Sequence, residues 1–194
     1  DSYWWFVGKR RIAQTLLQTC LPEAARRQIL DVGCGTGATL QLLLANYGMS
    51  YGLDLSESAL DFCRQRALAR LTQGSALTLP YADCSFDLVT AFDLLYHRWV
   101  EDDGLALREC ARVLRPEGIL LITDSAFRFL WSEHDVAYHA KRRYTKGELR
   151  ARVEGAGLRV RKLSYANTFF FPAVLAVRMW KRIHPSAGGA HIAS

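Results

Sequence analysis

Three glycines alternate in Gly33-Cys34-Gly35-Thr36-Gly37, directly after the apolar run Ile29-Leu30-Asp31-Val32. Glycine lets a backbone turn tightly and lets a ligand approach with no Cβ in the way. A helical pattern follows from Thr39 to Ala45. A helix beginning there offers unpaired N–H groups and the positive end of its dipole. Asp54 closes the next apolar run, Tyr51-Gly52-Leu53. A carboxylate in that place can accept hydrogen bonds from both hydroxyls of a ribose, by the logic of dinucleotide folds. The pattern points to a nucleoside-containing cofactor. The glycines alone do not choose which, since Ala38 could complete the G-x-G-x-x-G/A fingerprint of nicotinamide proteins.

Further along lie groups that could act on a second substrate. His97 stands one helical turn after Asp93. It could be a general base or position an acceptor, or it could simply bond a backbone carbonyl at a helix start. The stretch Leu130 to Tyr144 gathers His134, Asp135, Tyr138, His139, Arg142, Arg143 and Tyr144. Arg142 and Arg143 could fork onto a carboxylate or phosphate, or pair with Asp135 or Glu133. His134 and His139 could carry a proton. His134, Asp135 and His139 have the types of a metal set, but no metal is expected. The aromatic start, Tyr3-Trp4-Trp5-Phe6, could form a lid with Tyr3, Trp4 or Trp5 facing the pocket, Tyr3 and Trp4 toward the substrate, or pack as an amphipathic helix.

These groups need a frame. Strand and helix patterns alternate, which argues for an α/β fold: a Rossmann-like, doubly wound, mostly parallel sheet with helices on both faces. Strands are expected near 29–32, 50–54, 71–74, 86–91, 118–124 and 158–165, and helices near 5–19, 37–46, 57–69, 103–114, 145–155 and 172–182. Ser56 reads as the N-cap of the third helix. Pro116 and Gly118 separate the helix ending at Leu114 from the next strand. Ligands of open parallel sheets bind at the carboxyl ends of the strands. That rule selects Gly33, Gly35, Gly37, Asp54, Ser75, Phe92, Asp93 and Asp124.

At 194 residues the chain is read as a single domain, residues 1–194. Within it 1–20 form an N-terminal helix or lid, 29–124 a cofactor-binding core, 125–182 the acceptor-side elements and 183–194 a tail. No stretch reaches the roughly 18–20 apolar residues that span a bilayer. No signal-peptide pattern is present, and the chain opens at Asp1 without a methionine, which leaves its natural start open. The five cysteines show no C-x-x-C spacing and read as core thiols of a reducing cytoplasm, not a zinc site or disulfide framework. The net charge is +6, with cations crowding the last third from Lys141 to Arg182. They suit a solvated helix and edge strand, or attraction to an anionic acceptor or lipid headgroup; nucleic acid is disfavoured because no RNA-binding signature is present. Phe169 to Val177, followed by Arg178, could touch a membrane surface, though a buried helix or dimer face fits as well.

Beyond the glycine turn, Leu79-Pro80-Tyr81, Ser85-Phe86-Asp87-Leu88-Val89 and Arg112-Val113-Leu114-Arg115-Pro116-Glu117-Gly118 follow in order. With Asp31 and Asp54 they resemble class I S-adenosylmethionine-dependent methyltransferases of the type 11 group, over about residues 29–165. The termini and the 130–144 segment resemble a largely uncharacterised bacterial subset of it. The resemblance implies S-adenosylmethionine as cofactor, S-adenosylhomocysteine as product and a small-molecule acceptor methylated on O, N or C. It implies that Asp31 helps to hold the methionine ammonium, Asp54 the ribose and Leu55 the adenine face. Phe92 and Asp93 would then meet the methionine part, and Gly74-Ser75-Ala76 the adenine edge. An aromatic lid could face the sulfonium. Pro185-Ser186-Ala187-Gly188-Gly189 cannot form the antiparallel strand that closes the family's sheet, so that strand is expected to be absent from this chain or to lie outside it. The alternatives are a nicotinamide-dependent oxidoreductase and a non-catalytic cofactor-binding or membrane-docking module.

Ser75 departs from the family, which commonly places a carboxylate there to bond the adenine amino group. A neutral acceptor is weaker than a charged one. Ser75→Asp is therefore expected to tighten S-adenosylhomocysteine binding roughly threefold to tenfold by calorimetry; weaker binding would refute this.

Overall fold

The computed structural model describes residues 4–21 and 27–166, without the side chains of 4–6. Tyr3, the Trp4 side chain, the helix expected at 172–182, the Phe169–Val177 stretch and the tail lie outside the described residues. The elements run α1 (Trp4–Cys20), β1 (Arg27–Val32), α2 (Ala38–Leu42), β2 (Gly48–Asp54), α3 (Glu57–Gln65), β3 (Leu71–Gln73), β4 (Phe86–Phe92), α4 (Asp103–Val113), β5 (Leu114–Thr123), α5 (Glu133–Ala137) and α6 (Lys146–Gly155).

The five strands form one parallel sheet in the order β3-β2-β1-β4-β5. The chain reverses its winding beside β1, which has β2 on one side and β4 on the other. A crevice opens at the carboxyl ends of strands at such a reversal. Side chains along β1 alternate between the faces, as a pleated strand requires. Leu30 and Val32 join Val89, Leu107 and Val113 in a core under α4 and α6. Ile29 joins Leu88, Leu40, Leu60 and Leu17 in a second core under α1, α2 and α3. Both faces are therefore covered, and near-continuous apolar strands follow.

Local chemistry sets the helix starts. The Ser56 hydroxyl accepts from Ala59 N–H at 3.3 Å, as its position suggested. The Asp102 carboxylate caps α4 through Leu105 N–H at 2.9 Å. Thr145 and Glu148 form a capping box on α6, and Ser132 and Asp135 one on α5. Arg112 gives Glu109 two hydrogen bonds and adds Asp83 and the carbonyls of Leu79 and Tyr81. It thereby pins the 79–83 loop, and the strand-end loop before it, to α4.

Four expected elements differ. The 37–46 helix breaks at Leu43, whose φ of −120° ends α2 before a short 3-10 turn at Leu44–Asn46. α3 stops at Gln65, because Ala67 adopts a left-handed φ of 58°. β5 begins at Leu114, four residues early, and Arg115 to Gly118 form an irregular excursion between the Phe86–Leu114 and Leu88–Ile119 pairs. Residues 158–165 form no strand. Their exposure does alternate, with Leu158 and Val160 half-buried between exposed neighbours. Side chains fix this path in place of a ladder: Tyr165 accepts from Lys146 N–H at 3.1 Å and its ring lies 4.5 Å from that of Phe127. Cys84 is exposed, contrary to the expectation of a core thiol, while Cys34, Cys63 and Cys110 are buried. No helix among the described residues is long and apolar enough to cross a membrane.

Gly37 shows how closely the turn is packed. Its φ is +80°, and an added Cβ would lie 2.5 Å from Leu68 Cδ1 and 2.8 Å from Cys63 Sγ. Gly37→Ala combines left-handed strain with overpacking, and is expected to cost about 2–4 kcal/mol in urea unfolding. A loss below about 0.5 kcal/mol would show that the turn relaxes around the methyl group.

Candidate functional site

The glycine turn and the tip of β2 are built as one unit. Gly33 and Cys34 N–H groups both donate to the Leu53 carbonyl, at 2.7 and 3.0 Å. One oxygen of Asp54 accepts from Gly35 N–H at 2.8 Å and the other from Ser56 N–H at 2.9 Å. Each oxygen keeps a lone-pair site for a further donor. Leu55, beside it, is 52% exposed and presents an apolar face to solvent. Below the turn, Asp31 is buried and accepts from the Thr90 hydroxyl at 2.6 Å. Burial pushes the Asp31 carboxyl up to about 7, against the Thr90 bond and with a smaller push from Asp54.

A cleft of about 260 Å³ opens over this turn. Lys9 and Ala13 of α1 wall it, Gly33 and Thr36 lie at its base, and Phe92, Asp93 and Thr123 close it. Asp93, at φ 52°, forms an ion pair with Lys9. Next to Thr123, Asp124 accepts from Leu95 and Ser125 N–H groups, both at 2.9 Å. Burial, with help from Asp93, pushes its carboxyl up to about 7 against these bonds. The buried Thr123 hydroxyl has no partner among the described residues. An open space lies over Gly35, where an added Cβ would meet nothing within 4 Å.

Ser75 sits in the turn after β3, its hydroxyl accepting from Leu77 N–H at 3.1 Å. Ala76 does not face the crevice; it is 8% exposed and packs in the core with Leu79 and Phe86. Among described side chains, α1 lines the cleft with Lys9, Arg10 and Ala13. Sequence reasoning gave these residues no role, and nothing in their types singled them out. Thr123 was within reach of the strand-end rule, one residue before Asp124.

The histidines separate. His97 stacks on Tyr96 at 4.5 Å, and its buried Nδ1 has no partner among the described residues. Burial lowers its pKa, with Asp93 opposing, so the ring is neutral near pH 7. His139 is exposed and meets Trp99 edge-on at 4.9 Å, while the exposed His134 stacks on Tyr138 at 4.4 Å. His134, Asp135 and His139 do not converge, because Asp135 turns to Arg143.

Arg142, Arg143 and Tyr144 were candidates for holding an acceptor, and the structure commits them elsewhere. Arg142 bonds Asp103 at 2.8 Å and the Val100 carbonyl at 2.8 Å. Arg143 bonds Asp135 at 2.7 Å and the Ala126 carbonyl at 2.7 Å. The Tyr144 hydroxyl donates to Asp103 at 2.8 Å. Asp103 and Asp135 are 2% and 5% exposed. Buried carboxylates demand such partners, so the arginines serve the fold of the loop.

Residues 30–122 match the model of a methyltransferase domain. Over 124 residues the chain is 32% identical to a Mycobacterium tuberculosis protein named "Probable S-adenosylmethionine-dependent methyltransferase Rv3030", covering 63% of this chain and 43% of that protein. Over 110 residues it is 37% identical to a fatty-acid O-methyltransferase of Mycolicibacterium smegmatis, covering 53% and 39%. Over residues 30–122 the chain is thus similar to methyltransferase domains. The match spans less than half the length of these curated relatives. The fold is shared with YcgJ of Bacillus subtilis, with a TM-score of 0.66 at 22% identity over 92% of this chain and 85% of that one.

Asp31 has a signature that needs no ligand to measure. Its folded pKa of about 7 lies above the ordinary aspartate value of 3.8. The folded state therefore holds a proton that the unfolded state releases. The Asp31 contribution to stability is full below about pH 4 and is lost as pH rises through about 7. Between about pH 4.5 and 6.5, wild-type stability relative to Asp31→Asn should fall by about 1.4 kcal/mol per pH unit. Urea unfolding across that range checks it; parallel curves for the two proteins would refute it.

Proposed function

We propose that the chain binds S-adenosylmethionine over the 33–37 turn and transfers its methyl group to O, N or C of a small-molecule acceptor. The observation that carries this reading is the Asp54 carboxylate, locked beside a glycine turn that lines a cleft. The residues fit the cofactor on three further counts: the open space over Gly35, the unpartnered Thr123 hydroxyl in the cleft wall, and the exposed Leu55 face next to Asp54. Bound here, S-adenosylmethionine supplies a methyl group already activated by a sulfonium.

The chain's own residues do the rest. Asp54 offers its remaining lone pairs to ribose hydroxyls. Leu55 covers the adenine face, and Ser75 accepts from the adenine edge. Asp93 lends negative charge to the end of the cleft that takes the methionine ammonium, with the buried Asp31 beneath the turn. α1 closes over that end and excludes water. Holding an acceptor in line for transfer is worth roughly 7–11 kcal/mol. A neutral amine needs little more, whereas a hydroxyl benefits from a base. His97 suits that role best of the three histidines, since it is neutral, half-buried and carries an unpartnered ring nitrogen. The relative named for fatty-acid O-methylation favours an oxygen acceptor with an apolar body.

Calorimetry with S-adenosylhomocysteine and fluorescence titration with NADH test the cofactor; saturable binding of the first alone is expected. Transfer of labelled methyl to a panel of fatty acids, phenols and amines tests the acceptor. On any oxygen acceptor found, His97→Ala should slow turnover about 100-fold or more, and His134→Ala and His139→Ala only a few-fold. Three equal, small effects would remove the base from the mechanism. Binding of NADH in place of S-adenosylhomocysteine would overturn the assignment, and binding without any turnover would favour a non-catalytic module.

A further inference from the structure

We propose that the cavity between Arg128, Trp131 and Lys141 holds the anionic group, a carboxylate or phosphate, of the methyl acceptor. The proposal rests on the methyl-transfer reading above and assigns that acceptor a charge. The cavity measures about 350 Å³. Among the described residues two cations and an indole line it, and no carboxylate does. Among the described residues neither cation has a carboxylate within ion-pair distance; Lys141 Nζ only approaches the Glu101 carbonyl at 3.4 Å. Arg128 feels Glu148, but that carboxylate is held by the N–H and hydroxyl of Thr145, at 2.7 and 2.8 Å. The two arginines that could have answered these charges' task, Arg142 and Arg143, are already saturated by buried aspartates. Arg128 and Lys141 are therefore the cations of this loop left facing open space.

The cavity and the cleft stand on chains that leave the same two strands. Arg128 follows Thr123 by five positions, on the chain leaving β5. Lys141 donates its backbone N–H to the Tyr96 carbonyl at 2.7 Å, and Ala140 bridges to His97, on the chain leaving β4. Thr123 and Asp93 are the cleft residues from which these two chains depart. The walls are also rigid. Trp131 N–H bonds the Arg128 carbonyl at 3.0 Å, and Asp135 ties Ser132 to Arg143, which reaches back to Ala126. An indole offers a ring face and one donor, which suits an anion carried on an apolar body. Two like charges at a concave wall focus their field on whatever enters.

The test uses octyl phosphate, octanoate and octyltrimethylammonium as probes of the whole chain at low salt, read through the 15N-labelled indole resonance assigned to Trp131 by W131F. The anions should shift that resonance saturably and the cation should not. R128Q and K141Q should each weaken anion binding about fivefold, and the double variant should abolish it. S-adenosylhomocysteine affinity should be unchanged in all three variants. Equal shifts from anion and cation, or undiminished anion binding in the double variant, would overturn the proposal. So would co-sedimentation with phosphatidylglycerol vesicles without any response to the soluble anions, which would make this a lipid-docking surface. If wild type binds the anions but not S-adenosylhomocysteine, the cavity takes anions and it is the methyl-transfer reading, with the acceptor role built on it, that fails.

Discussion

The Asp54 carboxylate, with Gly35 N–H on one oxygen and Ser56 N–H on the other, joins two turns that the sequence separates by about twenty residues. The Leu53 carbonyl adds Gly33 and Cys34 to the same junction. Each bond fixes a backbone that would otherwise be free to close over the crevice. Because β1 and β2 are parallel neighbours in register from Arg27–Gly48 to Val32–Leu53, both turns leave the sheet at the same level. A ligand meeting the glycine turn must then also meet the carboxylate. The sheet supplies the level, and Asp54 supplies the lock.

Charge follows from this placement. Asp31, Asp93 and Asp124 all sit at or next to the ends of β1, β4 and β5, and the cleft brings Lys9 to Asp93 as a counterion. Two of these carboxyls are pushed up to about 7, in each case chiefly by burial. An uncharged acid is the way such a cluster tolerates its own crowding. Lys9 relieves the same crowding at Asp93, from the wall of the cleft. Carboxylates that stabilised only the empty fold would be better placed at the surface.

The half of the site nearest the glycine turn was legible in the sequence because its signals are local. Gly33 to Gly37, Asp54 and the Ser56 cap are each defined by residues within a few positions, and the structure brings them together at the tips of β1 and β2. Arg142, Arg143 and Tyr144 were legible only as capacities. A guanidinium can hold a substrate or a buried aspartate, and the choice depends on Asp103 and Asp135, which the fold delivers from another helix and from an earlier turn. Residues 158–165 failed for a related reason: a two-residue period reports which side faces the core, but only a neighbouring strand makes it a ladder. Lys9 carried no signal at all, since its importance lies in a packing of α1 that no short pattern encodes.

The buried pairs Asp103–Arg142 and Asp135–Arg143 then need a reason to exist, because a well-packed apolar pair in their place is often as stable. They act at two successive residues of one loop. Arg142 ties it to the start of α4 and the Val100 carbonyl; Arg143 ties it to α5 and the Ala126 carbonyl. Apolar packing tolerates a slip along the chain, whereas two adjacent guanidiniums with different carboxylate partners do not. A one-residue slip would break both pairs and strand two buried charges. The pins therefore select a single register for the loop, and that register sets where Lys141 and Tyr144 lie against the segment leaving β4. In this fold the glycine-turn end is fixed by the sheet itself, while the loop from α5 to α6, built on a longer connection, obtains its rigidity from buried charge.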